Sequence, residues 1–139
     1  MKIYDIIDIK LIKFILVGII NTLIGSAIMF ALYNLVNFSY WFSSACNYFF
    51  TSILSFFLNK YFTFNVKQWS VFMIFTFVLV IGFSYLTAYS ISKPIINYFL
   101  RDTSLKLREN IALFTGMCIF TAINYIGQRL IVFKQKNKE

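Results

Sequence analysis

The feature that most constrains the fold is a long apolar stretch without charge: between Lys13 and Lys60 the chain has no charged residue. A helix needs roughly 20 residues to cross about 30 Å of hydrocarbon. The stretch is therefore too long for one membrane span and has the length of two spans joined by a short turn. Residues 37–39, Asn-Phe-Ser, offer the best break. Because backbone polar groups in lipid must bond to each other, we expect both spans to be helices.

Two further uncharged stretches follow, and Pro94 suits the end of the first of them. The predicted spans cover residues 14–36, 42–64, 70–92 and 110–133, within one membrane domain of residues 1–139. Only 13% of the residues are charged and 60% are hydrophobic, whereas a soluble domain has about 25% charged residues. The predicted fold class is an all-α integral membrane protein with four transmembrane helices, arranged as two helix hairpins.

The basic residues predict the orientation of these spans. Nine of them lie before the first span, or at or beyond the ends of the second and fourth spans, whereas four lie between the third and fourth. The nine are Lys2, Lys10, Lys13, Lys60, Lys67, Arg129, Lys134, Lys136 and Lys138. Cytoplasmic segments carry the excess of Lys and Arg, so both termini of this cell-membrane protein are predicted to be cytoplasmic. Nucleic acid is not an expected partner, because the basic residues form no single basic face.

The reactive residue types exclude several functions. The chain has no histidine, and its two cysteines, Cys46 and Cys118, lie in apolar runs, so we expect no metal site and no cofactor. No Asp or Glu occurs between Asp8 and Asp102. A proton-coupled cation exporter needs a carboxylate within the membrane, and an enzyme needs an acid–base pair. Both functions are therefore disfavoured.

An amide followed by a cation occurs twice at the end of an apolar run. Asn59-Lys60 and Gln128-Arg129 lie 69 positions apart, and each is followed by a Phe four positions after the cation. The same offset pairs further residues, namely Ser52 with Thr121, Ser55 with Asn124, Phe56 with Tyr125 and Lys67 with Lys136. Gly25 then lies roughly opposite Gly82. We interpret the chain as a parallel internal repeat of two hairpins.

Uncharged polar residues recur at helical spacing within the predicted spans. The second span has such residues three or four positions apart, so they share one slowly turning face. Across the spans, the candidates for a polar pathway are Asn21, Thr22, Asn47, Thr51, Ser55, Thr121 and Asn124. One interpretation is helix packing through small and hydroxylated residues. The other is a hydrated path, since amides in the membrane face protein or a wet cavity.

Lys60 and Arg129 also allow two interpretations. Each by itself suits an interfacial anchor whose long side chain reaches the cytoplasmic headgroups. Together they suit a phosphate site, in which Asn59 and Gln128 supply further donors. Arginine would offer a planar fork and lysine a point charge. In a regular α-helix Lys60 points about 100° away from Asn59, which places it off the polar face.

The runs FILVGIINT at 14–22 and SFFLNKYFTF at 55–64 resemble the GtrA-like family of small four-span membrane proteins. The resemblance covers residues 11–135 and is greatest with Gram-positive members linked to teichoic acid glycosylation. The positions that match the family motifs are Asn21, Thr22, Asn59, Lys60, Thr63 and Phe64. Lys60 stands where arginine is common, and Phe62 where tryptophan is common.

The resemblance implies a flippase for a sugar linked to undecaprenyl phosphate, which is moved from the inner to the outer leaflet. Membrane glycosyltransferases would charge the lipid and then use the sugar to decorate a cell-wall polymer such as teichoic acid. Asn59, Lys60, Gln128 and Arg129 would then bind the lipid phosphate. The alternative is a non-transporting scaffold or activator of a polyprenyl-phosphate glycosyltransferase. Four helices are few to enclose a large head group, so we expect a homo-oligomer.

Overall fold

The computed structural model describes residues 8–134, and every regular element in this range is helical. Lys2, Lys136 and Lys138, which entered the charge count, lie outside the described residues, as does the match of Lys67 with Lys136. The chain divides into two compact units, Met1–Gln68 and Trp69–Glu139. Each unit contains one helix hairpin, and we call them the first and the second hairpin.

The first hairpin consists of α1 (Ile9–Asn34) and α2 (Tyr40–Leu58), and α2 continues into a π-helical segment, Asn59–Thr63. Asp8 begins α1 by accepting a hydrogen bond from the Lys10 amide at 2.9 Å. The turn has Asn37 at φ 58°, a left-handed conformation that asparagine tolerates better than most residues. Ser39 then begins α2 by accepting from the Phe42 amide. The predicted break at 37–39 is confirmed.

The second hairpin consists of α3 (Val71–Phe99) and α4 (Leu105–Gly127), which continues into a second π-helical segment, Gln128–Val132. Ser70 begins α3 by accepting from the Phe72 amide at 3.2 Å. Ser104 begins α4 by accepting from the Leu107 amide at 3.4 Å. Serine at a helix N-terminus satisfies an amide that has no partner within the helix.

The predicted helix end at Pro94 is wrong, because α3 continues through Pro94 to Phe99. Proline removes the one hydrogen bond that its nitrogen would donate, to the Ser90 carbonyl. Helices in membranes tolerate this loss when neighbouring elements support the backbone. The loop between α3 and α4 is therefore confined to residues 100–104, and Lys93, Lys106 and Arg108 lie on helices.

Three of the described helical stretches are long and apolar enough to cross a membrane: Ile9–Asn34, Val71–Phe99 and Leu105–Val132. The helix α2 is not among them. It has 19 residues, and the polar side chains of Ser43, Asn47, Thr51 and Ser55 lower its hydropathy.

The distribution of side chains is the reverse of that in a soluble protein. Large apolar residues such as Leu23, Phe72 and Leu86 are exposed, whereas Lys60 and Gln128 are fully buried. In water, charged residues are almost never fully buried unless paired. An apolar exterior around a polar interior is suited to lipid as the surrounding solvent, and the chain is a membrane protein with several apolar helices.

The internal repeat extends to local geometry. In the first hairpin the rings of Phe14 and Phe64 lie 6.5 Å apart and are tilted by 57°. In the second, Phe77 and Phe133 lie 6.4 Å apart and are tilted by 55°. Phe64 and Phe133 are 69 positions apart, whereas Phe14 and Phe77 are 63 apart.

The match of Gly25 with Gly82 is therefore wrong. The offset of the first helices places Gly25 opposite Ala88, and both are buried, whereas Gly82 is exposed. A single offset fails here because α3 and α4 are longer than α1 and α2, with 29 and 23 residues against 26 and 19, whereas the two turns are equally long.

Candidate functional site

Both amide–cation pairs lie at the start of a π-helical segment, where the helix makes one wide turn. The Phe64 amide donates to the Asn59 carbonyl, and the Phe133 amide donates to the Gln128 carbonyl, each at 2.8 Å. These bonds span five residues instead of four. Such π turns are rare and are found frequently at functional sites. Each amide–cation pair thus begins a π turn, and an ordinary helix end has no such turn.

In the first hairpin the Asn59 amide is buried in a chain of hydrogen bonds along its own helix. Its Nδ2 donates to Ser55 Oγ at 3.2 Å, and its Oδ1 accepts from Thr63 Oγ1 at 3.0 Å. Asn59 and Thr63 are each 2% exposed. Since both ends of the amide are engaged, Asn59 is held in one orientation by its neighbours.

Lys60 is fully buried, and its Nζ donates to the Val66 carbonyl at 2.7 Å. The same nitrogen lies 4.2 Å from the centre of the Tyr61 ring. The interpretation of Lys60 as an anchor reaching the headgroups is therefore wrong. Lys60 and Asn59 are neighbours in sequence, and both are buried. A regular helix would direct them about 100° apart.

In the second hairpin Gln128 takes the place of Asn59. Its Nε2 donates to Asn124 Oδ1 at 3.2 Å. Gln128 Oε1 is buried and has no hydrogen-bond partner in the structure. Val132 stands where the first hairpin has Thr63, so the hydroxyl that would complete the chain is missing. A buried carbonyl oxygen without a partner is costly, and Gln128 is thus able to accept one more bond from a water or a ligand.

Arg129 differs from Lys60 in both exposure and partner. It is half-buried, and its guanidinium donates to the Tyr125 hydroxyl one turn earlier. The guanidinium carbon also lies 5.7 Å from the centre of the Tyr125 ring. Tyr125 is 1% exposed, so it holds one side of the guanidinium in place while part of Arg129 stays accessible.

A cavity of about 450 Å³ lies between α3 and α4, beside the second π-helical segment. Its lining is almost wholly apolar and includes Val80, Phe83, Ile123, Gly127 and Ile131. The space exists partly because Gly127 has no side chain: a methyl group there would lie 2.6 Å from Val80 Cγ1. Gly127 immediately precedes Gln128, so an apolar cavity adjoins the polar pair in one hairpin.

The predicted polar pathway divides into residues that bond within their own helix and residues that face a neighbour. The hydroxyls of Thr22, Thr51 and Thr121 donate to the carbonyls of Gly18, Asn47 and Met117, four residues earlier. Thr22 is also exposed, and each of these hydroxyls can still accept a hydrogen bond, so the polar pathway stays a prediction. Asn47 instead packs at Gly25, where a methyl group would lie 2.2 Å from Asn47 Oδ1.

Asn21 is half-buried, and its Oδ1 is buried without a hydrogen-bond partner. Of the predicted residues, the structure groups Ser55, Asn59 and Lys60 in the first hairpin. It groups Asn124, Gln128 and Arg129 in the second. Asn21 lies on α1, where no hydrogen bond of the described residues joins it to either group.

Sequence reasoning missed three participants: Thr63 and Val66 as partners of Asn59 and Lys60, and Tyr125 as the partner of Arg129. Thr63 and Tyr125 each lie four positions from the residue that they bind. That spacing is the usual helical neighbour distance and was a usable signal. Val66 acts through its backbone carbonyl, which no side-chain pattern could reveal.

The described residues contain no group of three or more His, Cys, Asp or Glu side chains that could hold a metal ion. The polar groups near both π-helical segments are amides, hydroxyls and cations. Such a set offers mainly hydrogen-bond donors, which suits an oxyanion better than a cation.

The comparisons with known proteins identify one family. Residues 13–133 match the family model described as GtrA/DPMS, transmembrane domain. Neither the comparison with curated proteins nor that with solved structures found a match. Members of the matched family are generally non-catalytic membrane proteins associated with lipid-linked sugars. Since the match covers all four helices and both π-helical segments, the chain belongs to the GtrA/DPMS transmembrane domain family.

Proposed function

We propose that the protein moves a sugar linked to undecaprenyl phosphate from the inner to the outer leaflet of the cell membrane. In this proposal all four helices span the membrane and both termini are cytoplasmic, as the distribution of basic residues suggests. The translocated sugar is then transferred to a cell-wall polymer such as teichoic acid. Membrane glycosyltransferases act before and after translocation, and the protein works as a homo-oligomer.

The observation that carries this proposal is the arrangement of Gln128 and Arg129 beside an apolar cavity. Arg129 is accessible enough to bind phosphate oxygens with its planar guanidinium. Gln128 adds a side-chain amide, whose nitrogen is a donor for a phosphate oxygen and whose oxygen, without a protein partner, can accept from a hydroxyl of the sugar. The cavity of about 450 Å³ beside them would hold part of the hydrocarbon chain next to the phosphate. A phosphate on a hydrocarbon chain combines both kinds of chemistry in one ligand.

The positions of the cations also suit transport. A fully charged group at the bilayer centre costs about 3 kcal/mol on insertion scales, and cations there would also hold a phosphate too firmly to release it. Lys60 and Arg129 instead lie at helix ends, while the helices carry uncharged amides and hydroxyls. Lys60, which is occupied by the Val66 carbonyl, stabilises the end of its hairpin in this mechanism, and Arg129 makes the contact with phosphate.

Reconstitution into lipid vesicles tests the function directly. The purified protein is incorporated together with undecaprenyl phosphate carrying a fluorescent sugar analogue, and the fraction accessible to an impermeant quencher is followed over time. We expect fast equilibration between leaflets with the protein and slow equilibration in empty vesicles. An Arg129→Gln variant should be slow, whereas Lys134→Gln, an exposed cation just beyond the second π-helical segment, should behave as wild type.

The same experiment separates transport from scaffolding. If the wild-type protein fails to accelerate equilibration, while a partner glycosyltransferase still needs it for activity, the protein is a scaffold and the proposal is wrong. Normal equilibration in the Arg129→Gln variant would be consistent with transport but would contradict phosphate binding by Arg129.

A further inference from the structure

A second cavity, of about 260 Å³, lies at the other end of the second hairpin, near the turn between α3 and α4. Its polar lining comes from Tyr89, Ser92, Lys93 and Asn97 on α3 and from Glu109 on α4. Lys93 lies 13 residues from Val80, a residue of the apolar cavity. At 1.5 Å per residue the middles of the two linings are about 20 Å apart along α3, more than half of a hydrocarbon thickness of about 30 Å, and their nearest residues, Ser84 and Tyr89, are about 8 Å apart.

The walls of this cavity are set by helix geometry. Tyr89, Lys93 and Asn97 follow each other at intervals of four, so they lie on one face of α3. Opposite them, α4 approaches closely at Gly116, where a methyl group would lie 2.7 Å from Tyr89 Cε1. The Tyr89 ring also lies 5.0 Å from the ring of Tyr85. The aromatic wall is thus held in place from two sides.

The lining combines hydrogen-bond donors, a carboxylate acceptor and an aromatic ring, and this combination is unusual for a site that binds a simple ion. Lys93 and Asn97 donate hydrogen bonds, and Glu109 accepts them, while Tyr89 offers both a ring and a hydroxyl. Glu109 would repel a bare phosphate, and no Asp or Glu lines the apolar cavity beside Gln128. A group with several neighbouring hydroxyls satisfies donors and acceptors at once. It can also place its C–H face on an aromatic ring.

The first hairpin has no counterpart of the charged pair Lys93 and Glu109, because neither its turn nor the adjoining parts of its helices carry a charged residue between Lys13 and Lys60. The two hairpins therefore agree at the π-helical ends and differ at the turns. A feature confined to one repeat is not needed to build the hairpin, and this favours a ligand-specific role for the polar cavity.

We propose that this cavity is a carbohydrate site, which binds the hydroxyl-rich head of the lipid-linked sugar after it has crossed the membrane. The proposal rests on the proposed function, because it assigns the turn of the second hairpin to the outer side. Gln128 and Arg129 then bind the phosphate at the inner end, and the cavity near Glu109 distinguishes one sugar from another at the outer end.

Cysteine protection tests the site in the full-length protein, in nanodiscs. Asn97→Cys is introduced with Cys46→Ser and Cys118→Ser, and its rate of reaction with a water-soluble maleimide is measured. The probes are undecaprenyl-phosphate glucose, undecaprenyl-phosphate N-acetylglucosamine and undecaprenyl phosphate. We expect at least one sugar lipid to slow the reaction several-fold and undecaprenyl phosphate to have no effect. Asp102→Cys, in the loop outside the cavity, is the matched control and should not be protected.

A second variant links protection to Glu109. Glu109→Gln should weaken the binding of the protecting sugar lipid by about tenfold, since it removes a charged acceptor, and should leave the binding of undecaprenyl phosphate unchanged. The proposal is wrong if no sugar lipid protects Asn97→Cys, if undecaprenyl phosphate protects equally well, or if Glu109→Gln binds both lipids like wild type. Protection without any transport by the wild-type protein would overturn the proposed function and support the carbohydrate site.

Discussion

At the scale of single residues, the two cations of the repeat have different environments. Lys60 is fully buried and bonded to a backbone carbonyl, whereas Arg129 is half-buried and bonded to a tyrosine hydroxyl. A compact ammonium can bond one carbonyl and remain enclosed. Lys60 is thus enclosed within its own hairpin, whereas part of Arg129 stays accessible, and in the proposed function Arg129 is the cation that contacts the phosphate.

The first prediction concerns Lys60. Lys60→Gln removes the donor to the Val66 carbonyl at 2.7 Å and should destabilise the protein by about 2 kcal/mol, the typical contribution of a hydrogen bond from a charged group. Thermal unfolding in detergent, followed by tryptophan fluorescence, measures the change. Lys67→Gln alters an exposed residue nearby and should change stability by less than about 0.5 kcal/mol. Equal stability of the two variants would contradict the structural role of Lys60.

The second prediction concerns Tyr125. Tyr125→Phe keeps the buried ring but removes the hydroxyl that accepts from Arg129. The guanidinium loses one constraint, so we expect the affinity for undecaprenyl phosphate to fall by about tenfold, or roughly 1.4 kcal/mol. Binding measured in nanodiscs tests this. Tyr85→Phe, an exposed tyrosine of the same hairpin, is the control. An unchanged affinity in Tyr125→Phe would mean that the hydroxyl does not position Arg129.

At the scale of elements, each hairpin is held together where a small residue lets a neighbour approach. On α1, Gly25 meets Asn47 and Thr51, whereas on α4 Gly116 meets Tyr89 and Gly127 meets Val80. Small residues at such positions allow close packing of membrane helices. The glycine lies on the first helix in one hairpin and on the second helix in the other. Both hairpins therefore have closely packed helices, but the glycine that allows the close packing lies at a different position in each.

The third prediction concerns Gly127. A methyl group at this position would meet Val80 at 2.6 Å, and valine in a helix cannot easily change its rotamer. Gly127→Ala should therefore cost about 1–3 kcal/mol, as overpacking does, and should narrow the apolar cavity. Thermal unfolding of Gly127→Ala and of the double variant Gly127→Ala, Val80→Ala measures the effect, and the second change should restore most of the loss.

Gly82→Ala provides the matched control on α3, because no atom lies within 4 Å of an added methyl group there. Alanine should stabilise the helix by up to about 1 kcal/mol. If Gly127→Ala were as stable as Gly82→Ala, close packing at Gly127 would not hold this hairpin together.

At the scale of the whole molecule, the decisive quantity is the number of membrane crossings. Three described helical stretches are long and apolar enough to span, and α2 is not among them. The polar side chains that lower the hydropathy of α2 include Asn47, Thr51 and Ser55. Because Asn47 and Ser55 contact neighbouring groups in the first hairpin, we expect α2 to cross the membrane with its polar side covered.

The fourth prediction tests this topology. Single cysteines replace Asn37, Lys67 and Asp102 in a variant that lacks Cys46 and Cys118, and intact cells are treated with an impermeant maleimide. With four spans and cytoplasmic termini, Asn37→Cys and Asp102→Cys should react and Lys67→Cys should not. Reaction after cell lysis confirms that each cysteine is accessible. If Asn37→Cys and Asp102→Cys reacted from opposite sides, α2 would not span the membrane.

The sequence by itself determined the properties that depend on local composition and spacing. An uncharged stretch from Phe14 to Asn59 requires lipid around it, and the break at 37–39 divides it into two helices. The amide–cation pairs 69 positions apart indicated the repeat, because the same offset also pairs other residues of similar type whose identities differ. The four-span count and the cytoplasmic termini were inferred from the same patterns and stay predictions.

Only the tertiary structure decided what depends on side chains that are distant in sequence. Phe64 packs against Phe14, and Phe133 against Phe77, at the ends of the two π-helical segments, and Lys60 is buried within the first segment. Pro94 interrupts no helix, because one lost hydrogen bond is smaller than the packing of α3 against α4. Neither the exposure of a cation nor the space beside Gly127 follows from local sequence, because both depend on which residues the opposite helix presents.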